Sequence, residues 1–326
     1  IGDKYWLVTQ IAPKNEAIST HFFYLPQDDS YQADYTGQSH DVAPGASLTL
    51  ESRTFAGAKV VNLLRDYADH LQITHFERAV DLGYFWFVTE PLQWYLDKLY
   101  LTIGNFGIAI LCLTVLVKLS MFPLANKSYT SMSKMKTLQP QMKVLKEKYG
   151  ADKAKIQQET IALYKREKIN PAAGCLPMFV QIPVFYSLYK VFYVTIEMRH
   201  APFFGWIKDL SEKDPTNVLN LFGLIPWNPE LYIHMPIFGG IIGYLGVGVG
   251  TLVMGLTMFL QMRLNPTPPD PMQAKLFMIM PFFFTFMLGH FAAGLVIYWA
   301  MNNTLSILQQ RFIMWKLEKA KQLKKA

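Results

Sequence analysis

The chain has 326 residues, of which 51% are hydrophobic and 17% charged. A soluble domain carries about 25% charged residues, so with a mean hydropathy of +0.15 a soluble single-domain enzyme is excluded and a membrane protein is indicated. The two cysteines, Cys112 and Cys175, build neither a disulfide scaffold nor a zinc cluster, and the net charge of +7 is spread unevenly.

Residues 1–81 alternate apolar and polar positions between turn residues and read as a β-rich domain or the C-terminal part of one. Strands are expected at 5–8, 21–25 and 47–55, turns at 26–29 and 43–45, and a short helix at 60–67. The chain opens on Ile1 with no signal peptide before it. An upstream part carrying a signal or a further span is therefore expected. Residues 83–100 crowd Tyr84, Phe85, Trp86, Phe87, Trp94, Tyr95 and Tyr100 into one stretch. Asp97 and Lys98 argue against a span, so the stretch reads as an interfacial amphipathic helix lying on a membrane, or else as a core helix of the soluble domain.

Five apolar segments follow, at 103–124, 175–196, 237–262, 276–290 and 294–314. The first is 22 residues long, or about 33 Å as a helix. The third carries Gly239, Gly243, Gly246 and Gly250, a spacing that permits close helix packing or a broken span. Charge sets their orientation. Residues 1–90 hold 6 Lys and Arg against 12 Asp and Glu, residues 125–172 hold 11 against 4, and residues 197–235 hold 3 against 5. Residues 263–275 hold Arg263 and Lys275 against Asp270, and residues 311–326 hold 6 against Glu318. Lys and Arg concentrate on the cytoplasmic side of short loops. The expected topology puts 1–81 and the loop 197–235 outside, and 125–172, 263–275 and the basic tail 315–326 inside, on the cytoplasmic face.

Residues 125–172 read as a basic helical hairpin. Met132, Met135, Leu138, Met142 and Leu145 form a stripe, Gly150 ends the first helix, and Asp152 caps the second, which carries Ile156, Leu163 and Tyr164. The stripe serves packing between the two helices. The exposed cations Lys134, Lys136, Lys143, Lys146 and Lys148 also suit a partner or anionic lipid.

Catalytic motifs are absent: there is no phosphate-binding Gly-Lys-Ser/Thr loop, no Gly-x-Ser-x-Gly elbow and no His-Glu-x-x-His pair. The reading is therefore not an enzyme, with no cofactor and no metal. The informative residues are polar ones inside apolar segments. Lys118 lies six residues before the inner end of the first segment, about 9 Å deep. A Lys at a helix centre costs about 3 kcal/mol on insertion. It either snorkels or faces a wet cavity, and no acidic residue shares the segments with it. Thr114 is one turn above. Gln181, Thr257 and Gln261, and the row Trp299, Asn302, Asn303, Ser306, Gln309 and Gln310 fall in the middle or cytoplasmic half. Each singly fits interhelical hydrogen bonding, and their shared depth favours a polar pocket open to the cytoplasm.

These residues carry a resemblance. Residues 116–124 (LVKLSMFPL), 129–135 (YTSMSKM), 138–140 (LQP), 162–165 (ALYK), 170–171 (NP), 174–177 (GCLP), 181–185 (QIPVF), 270–273 (DPMQ) and 294–299 (GLVIYW) keep an order and spacing across 83–318. The chain resembles the YidC family of membrane protein insertases in the Oxa/Alb superfamily, of the Gram-negative type. The resemblance implies a multi-pass α-helical membrane protein of the inner membrane. Its five-helix core carries a cytoplasmic helical hairpin and follows part of a periplasmic β-sandwich domain, the part before it including a first transmembrane helix. It implies a hydrophilic substrate groove lined by Lys118, Thr114, Gln181, Tyr298, Trp299, Asn302, Asn303 and Ser306. Lys118 stands where the family usually has Arg, which keeps the charge and loses the bidentate fork. Trp299 falls where many relatives have Tyr. The implied partners are nascent membrane proteins, the Sec translocon, the ribosome through hairpin and tail, the signal recognition particle pathway and the lipid bilayer, with no DNA. The expected function is insertion and assisted folding of inner-membrane proteins. The residues alone leave open a small-solute or ion transporter, or a structural translocase subunit.

Overall fold

A computed structural model describes residues 2–14, 16–150, 152–170, 176–235, 239–265 and 271–323. The Pro171–Cys175 motif, the first residues of the expected spans at Cys175 and Ile237, the centre of the loop 263–275 and the last three residues of the tail lie outside them. The chain divides into two compact units, residues 1–81 with 194–197, and residues 82–193 with 198–326.

The first unit holds two antiparallel pairs. β1 (Trp6–Ile11) pairs with β4 (Arg53–Ala58), Trp6 opposite Ala58 and Ile11 opposite Arg53. β2 (Ser19–Leu25) pairs with β3 (Ser30–Thr36) as a hairpin. Its turn falls at 26–29 as the sequence indicates, where Asp29 takes φ 45° and Tyr24 donates to its carboxylate at 2.8 Å. β3 is not among the expected strands, although Tyr31, Ala33 and Tyr35 alternate with Ser30, Gln32 and Asp34, and pairing with β2 completes the hairpin. The expected strand 47–55 begins only at Arg53, and the helix expected at 60–67 is α1 (Val61–His70), which buries Val61 and Leu64. The Phe55 ring meets Tyr67 and Phe76 edge-on.

The second unit is helical. α2 (Trp86–Ile103) ends at Gly104, left-handed at φ 77°, whose amide bonds the Tyr100 carbonyl. Asn105 then caps α3 (Phe106–Ser120) by accepting from the Ile108 amide. The expected interfacial helix at 83–100 is thus displaced to 86–103, because Gly104 stops it and the turn residues before Trp86 do not start it. α4 (Phe122–Tyr149) leaves α3 at 65°. Pro123 has no amide for the Leu119 carbonyl and its ring crowds that turn, so the segment expected to run straight over 103–124 breaks at Met121. α5 (Lys153–Arg166) returns along α4, capped by Asp152 accepting from the Lys155 amide. The hairpin has its own core of Leu138, Met142 and Leu163, with Leu145, Tyr164 and Ile169 against it.

α6 (Leu176–Val194) precedes a long loop. Then α7 (Gly239–Leu245) and α8 (Val249–Leu264) meet at 65°. The segment expected at 237–262 is therefore broken at Gly246-Val247-Gly248, and the loop enters the break. Asp214, 6% exposed, accepts the Gly250 amide at 2.8 Å, the Thr216 amide at 3.0 Å and the Thr216 hydroxyl at 2.6 Å. Thr216 accepts the Val249 amide at 2.9 Å. A Cβ on Gly248 would collide with the Asp214 carboxyl, so the glycine is what lets the carboxylate sit at the start of α8. α9 (Pro271–Leu288) and α10 (Ala293–Leu323) complete the unit. The last expected span, 294–314, and most of the basic tail form one helix of 31 residues, about 46 Å long, because no Gly or Pro follows Gly294, which lies in its first turn. Between α9 and α10, His290 ties two helix ends. Its Nδ1 lies 3.1 Å from the Phe286 carbonyl and its Nε2 2.8 Å from the Gly243 carbonyl.

The main core joins α2, α3, α6 and α10 through Leu96, Ile110, Leu113, Leu188, Phe192 and Tyr298, with Met198, Ile207 and Leu210 from the loop. Among the described residues no single helix is long and apolar enough to cross a membrane, and the two bent pairs, α3 with α4 and α7 with α8, pass that test jointly.

Candidate functional site

α10 packs against α8, α3 and α4, and the polar residues converge on it. Its residues 298, 299, 302, 303, 306 and 310 step by threes and fours, which keeps them on neighbouring faces. Ser306 is the centre. Its hydroxyl donates to the Asn302 carbonyl one turn back at 2.8 Å and accepts from Lys118 Nζ of α3 at 2.8 Å, with Tyr129 of α4 also within hydrogen-bonding reach. Lys118 is half-buried and makes no ion pair among the described residues. Gln181 of α6 donates from Nε2 to the Tyr298 hydroxyl at 2.6 Å. Asn303 donates to Thr257 of α8 at 3.3 Å, and Gln310 reaches the Leu264 carbonyl at 3.2 Å and Asn265 at 3.3 Å.

The structure thus brings together Lys118, Gln181, Tyr298, Asn302, Asn303 and Ser306. Thr114 is fully buried next to them, yet its hydroxyl bonds back to the Ile110 carbonyl at 2.7 Å within its own helix. Trp299 stacks edge-on with Phe185 at 5.1 Å, and its Nε1 has no hydrogen-bond partner among the described residues. The same holds for Asn302 Oδ1, Gln309 Nε2 and Gln310 Oε1. Unpaired buried polar atoms cost about 1–3 kcal/mol each. These four atoms lie along one helix, and water or a polar chain segment has the chemistry to partner them.

Lys134, Lys136, Lys143 and Lys148 of α4 are exposed and Lys146 is half-buried. They lie on the helix that leaves α3 directly beyond Lys118. Tyr164 crosses the hairpin to Met142, hydroxyl to Sδ 3.5 Å, and burial raises its phenol above the ordinary value. Sequence reasoning missed the Asp214–Thr216 cap and Tyr129. The Asp-x-Thr spacing is a capping signal, but a cap for a helix that begins only at Val249 leaves no local mark.

A mostly helical membrane unit, a buried polar seam on its last helix and an N-terminal β-strand unit define an integral membrane protein of defined lineage. Residues 98–321 match the family described as 60Kd inner membrane protein, and residues 1–95 match the YidC periplasmic domain. The chain belongs to this family of inner-membrane proteins, and its N-terminal unit is part of the family's periplasmic domain. The protein named membrane protein insertase YidC of Brucella suis is 54% identical over 315 residues, covering 96% of this chain and 50% of its own length. That of Beijerinckia indica is 54% identical over 316 residues, with 96% and 51% covered. That of Rhizobium etli is 52% identical over 315 residues, with 96% and 51% covered. The chain thus spans about half the length of the curated relatives it matches. The solved structure titled as an active YidC insertase with its first transmembrane domain resolved superposes with a TM-score of 0.53 at 23% identity, over 79% of this chain and 55% of that one. This likeness bears on the fold alone.

Proposed function

We propose that the protein is a membrane protein insertase and chaperone in which the α10 seam receives the polar flank of a substrate helix. The carrying observation is the half-buried Lys118, without an ion pair among the described residues and held by Ser306, amid unpartnered Trp299 Nε1 and Asn302 Oδ1. A substrate helix of about 20 apolar residues gains several kcal/mol on entering lipid. The barrier is its flank, at a few kcal/mol per charge.

The helices lower that barrier in two ways. α3 has 15 residues and α8 has 16, so each rises about 22–24 Å against a hydrocarbon core of about 30 Å. Short helices thin the bilayer around them, and the polar seam hydrates the remaining path. Lys118 attracts acidic groups, and Gln181, Tyr298, Asn302, Asn303 and Ser306 offer replacement hydrogen bonds. The substrate leaves sideways between apolar faces. No bond is made or broken, so no cofactor enters. The topology that fits has residues 1–81 and 197–235 in the periplasm and the hairpin and C-terminus in the cytoplasm. There the basic hairpin and tail meet nascent membrane proteins, the ribosome, the signal recognition particle pathway, the Sec translocon or anionic lipid.

The test is protease protection of a translocated acidic tail on a one-helix substrate, using full-length protein in liposomes. Protection with wild type and Lys118→Arg but not Lys118→Ala supports the reading. Equal protection with Ala removes Lys118 from it. Protection no better than in empty liposomes returns the choice to a transporter or a structural translocase subunit.

A further inference from the structure

Residues 217–235 turn apolar side chains outward. Leu221, Phe222, Leu224, Ile225 and Leu231 are exposed, Leu224 at 83%. Loops that face water carry polar residues, yet residues 215–235 contain no Lys or Arg and one carboxylate, Glu230. Several of their backbone amides are bonded inside the loop. The Phe222 amide reaches the Asn217 carbonyl at 2.8 Å, the Ile225 amide the Asn220 carbonyl at 3.1 Å and the Trp227 amide the Ile225 carbonyl at 2.7 Å. Asn220 closes the turn, accepting the Gly223 amide at 3.0 Å and donating to the Trp227 carbonyl at 3.2 Å. Leu221 and Phe222 take φ 49° and 60° to achieve this, a conformation that residues with a Cβ avoid. Apolar side chains outside and backbone bonds inside are what a segment needs at a bilayer boundary, where no water satisfies a free amide.

The loop is also held at the right height. Residues Pro229–Tyr232 pack on α7, the Gly239 amide bonds the Met235 carbonyl at 2.9 Å, and the missing Cβ of Gly239 makes room for the Ile233 carbonyl. α7 leaves α8 at 65°, so its length of about 10 Å adds only about 4 Å along the α8 axis. Its exposed Ile241, Tyr244 and Leu245 continue the apolar surface of the loop. The rings of Trp227 and Tyr232 lie 5.8 Å apart, the residue types that favour the headgroup level.

We propose that residues 217–235 are a lipid-immersed loop, seated in the bilayer interface on the side away from the basic hairpin, with Leu224 and Leu231 deepest. This rests on the membrane orientation proposed above and not on insertase activity.

The experiment places a single cysteine carrying an environment-sensitive nitrobenzoxadiazole dye at Leu224→Cys in full-length protein otherwise free of cysteine, reconstituted in phosphatidylcholine–phosphatidylglycerol vesicles. Leu256→Cys, exposed on α8, is the lipid-facing control. Blue-shifted Leu224 emission, quenched more by lipids brominated near the headgroup than near the chain end, is the expected result. Water-like emission quenched by iodide, with Leu256 still quenched by lipid, overturns the loop assignment and leaves the membrane reading intact. Blue-shifted emission that no brominated lipid quenches overturns it too, by showing cover from protein. Loss of lipid quenching at Leu256 as well refutes the membrane orientation itself.

Discussion

Asp214 offers the sharpest test of how the broken span is held. Its carboxylate is 6% exposed and accepts three hydrogen bonds, one from the first turn of α8 and two from Thr216, which in turn takes the Val249 amide. Asp214→Ala removes a helix cap worth about 1 kcal/mol and a negative charge at a helix N-terminus worth up to about 2 kcal/mol. A total of about 3 kcal/mol corresponds to roughly 150-fold easier opening of that turn. Asp214→Asn keeps the volume and one acceptor and is expected to cost about 1 kcal/mol, or about fivefold. Gly248→Ala is expected to resemble Asp214→Ala, because its Cβ takes the carboxylate's place. The assay is amide hydrogen exchange of peptides covering 246–252 in nanodiscs, with α10 peptides as internal reference. Unchanged exchange in Asp214→Ala would refute the claim that the loop carboxylate holds the break. Equal acceleration in α10 would show global loosening instead of a local cap.

Other outcomes are expected elsewhere. Gly107→Ala drives a Cβ into the Phe203 ring and is expected to cost about 1–3 kcal/mol by overpacking, read as a lower Tm of detergent-purified protein. Leu163→Ala empties part of a three-residue hairpin core at about 2–4 kcal/mol. Limited proteolysis is expected to cut 138–168 sooner while the other helices stay protected. Burial alone would raise the Asp209 carboxyl, but the Ser211 hydroxyl and amide and the His200 amide and charge together hold it below its ordinary value. A depressed carboxylate contributes stability that is complete above the unfolded value and lost as pH falls through the folded one. Loop 206–216 is therefore expected to exchange faster below about pH 4, and Asp209→Asn is expected to flatten that dependence.

Composition and periodicity by themselves determined that this is a membrane protein with a basic hairpin, because hydrophobicity and Lys/Arg bias are summed quantities that need no contacts. They also located Lys118, Gln181 and the α10 row, since a polar residue in an apolar segment is conspicuous by its cost alone. The order and spacing of the motifs between residues 116 and 299 pointed to the family. Which polar groups meet was decided only in three dimensions. Lys118 and Ser306 are 188 residues apart and Gln181 and Tyr298 are 117 apart, while Thr114, at the same depth, turns back on its own helix. Helix breaks were half legible: Pro123 announces the bend at Met121, but the bend before α8 needs Asp214 to arrive from a distant loop. The alternation of Tyr31, Ala33 and Tyr35 marks β3 locally, and pairing with β2 sets its register. A local pattern records what a residue costs where it stands, and tertiary packing supplies the partner that offsets that cost.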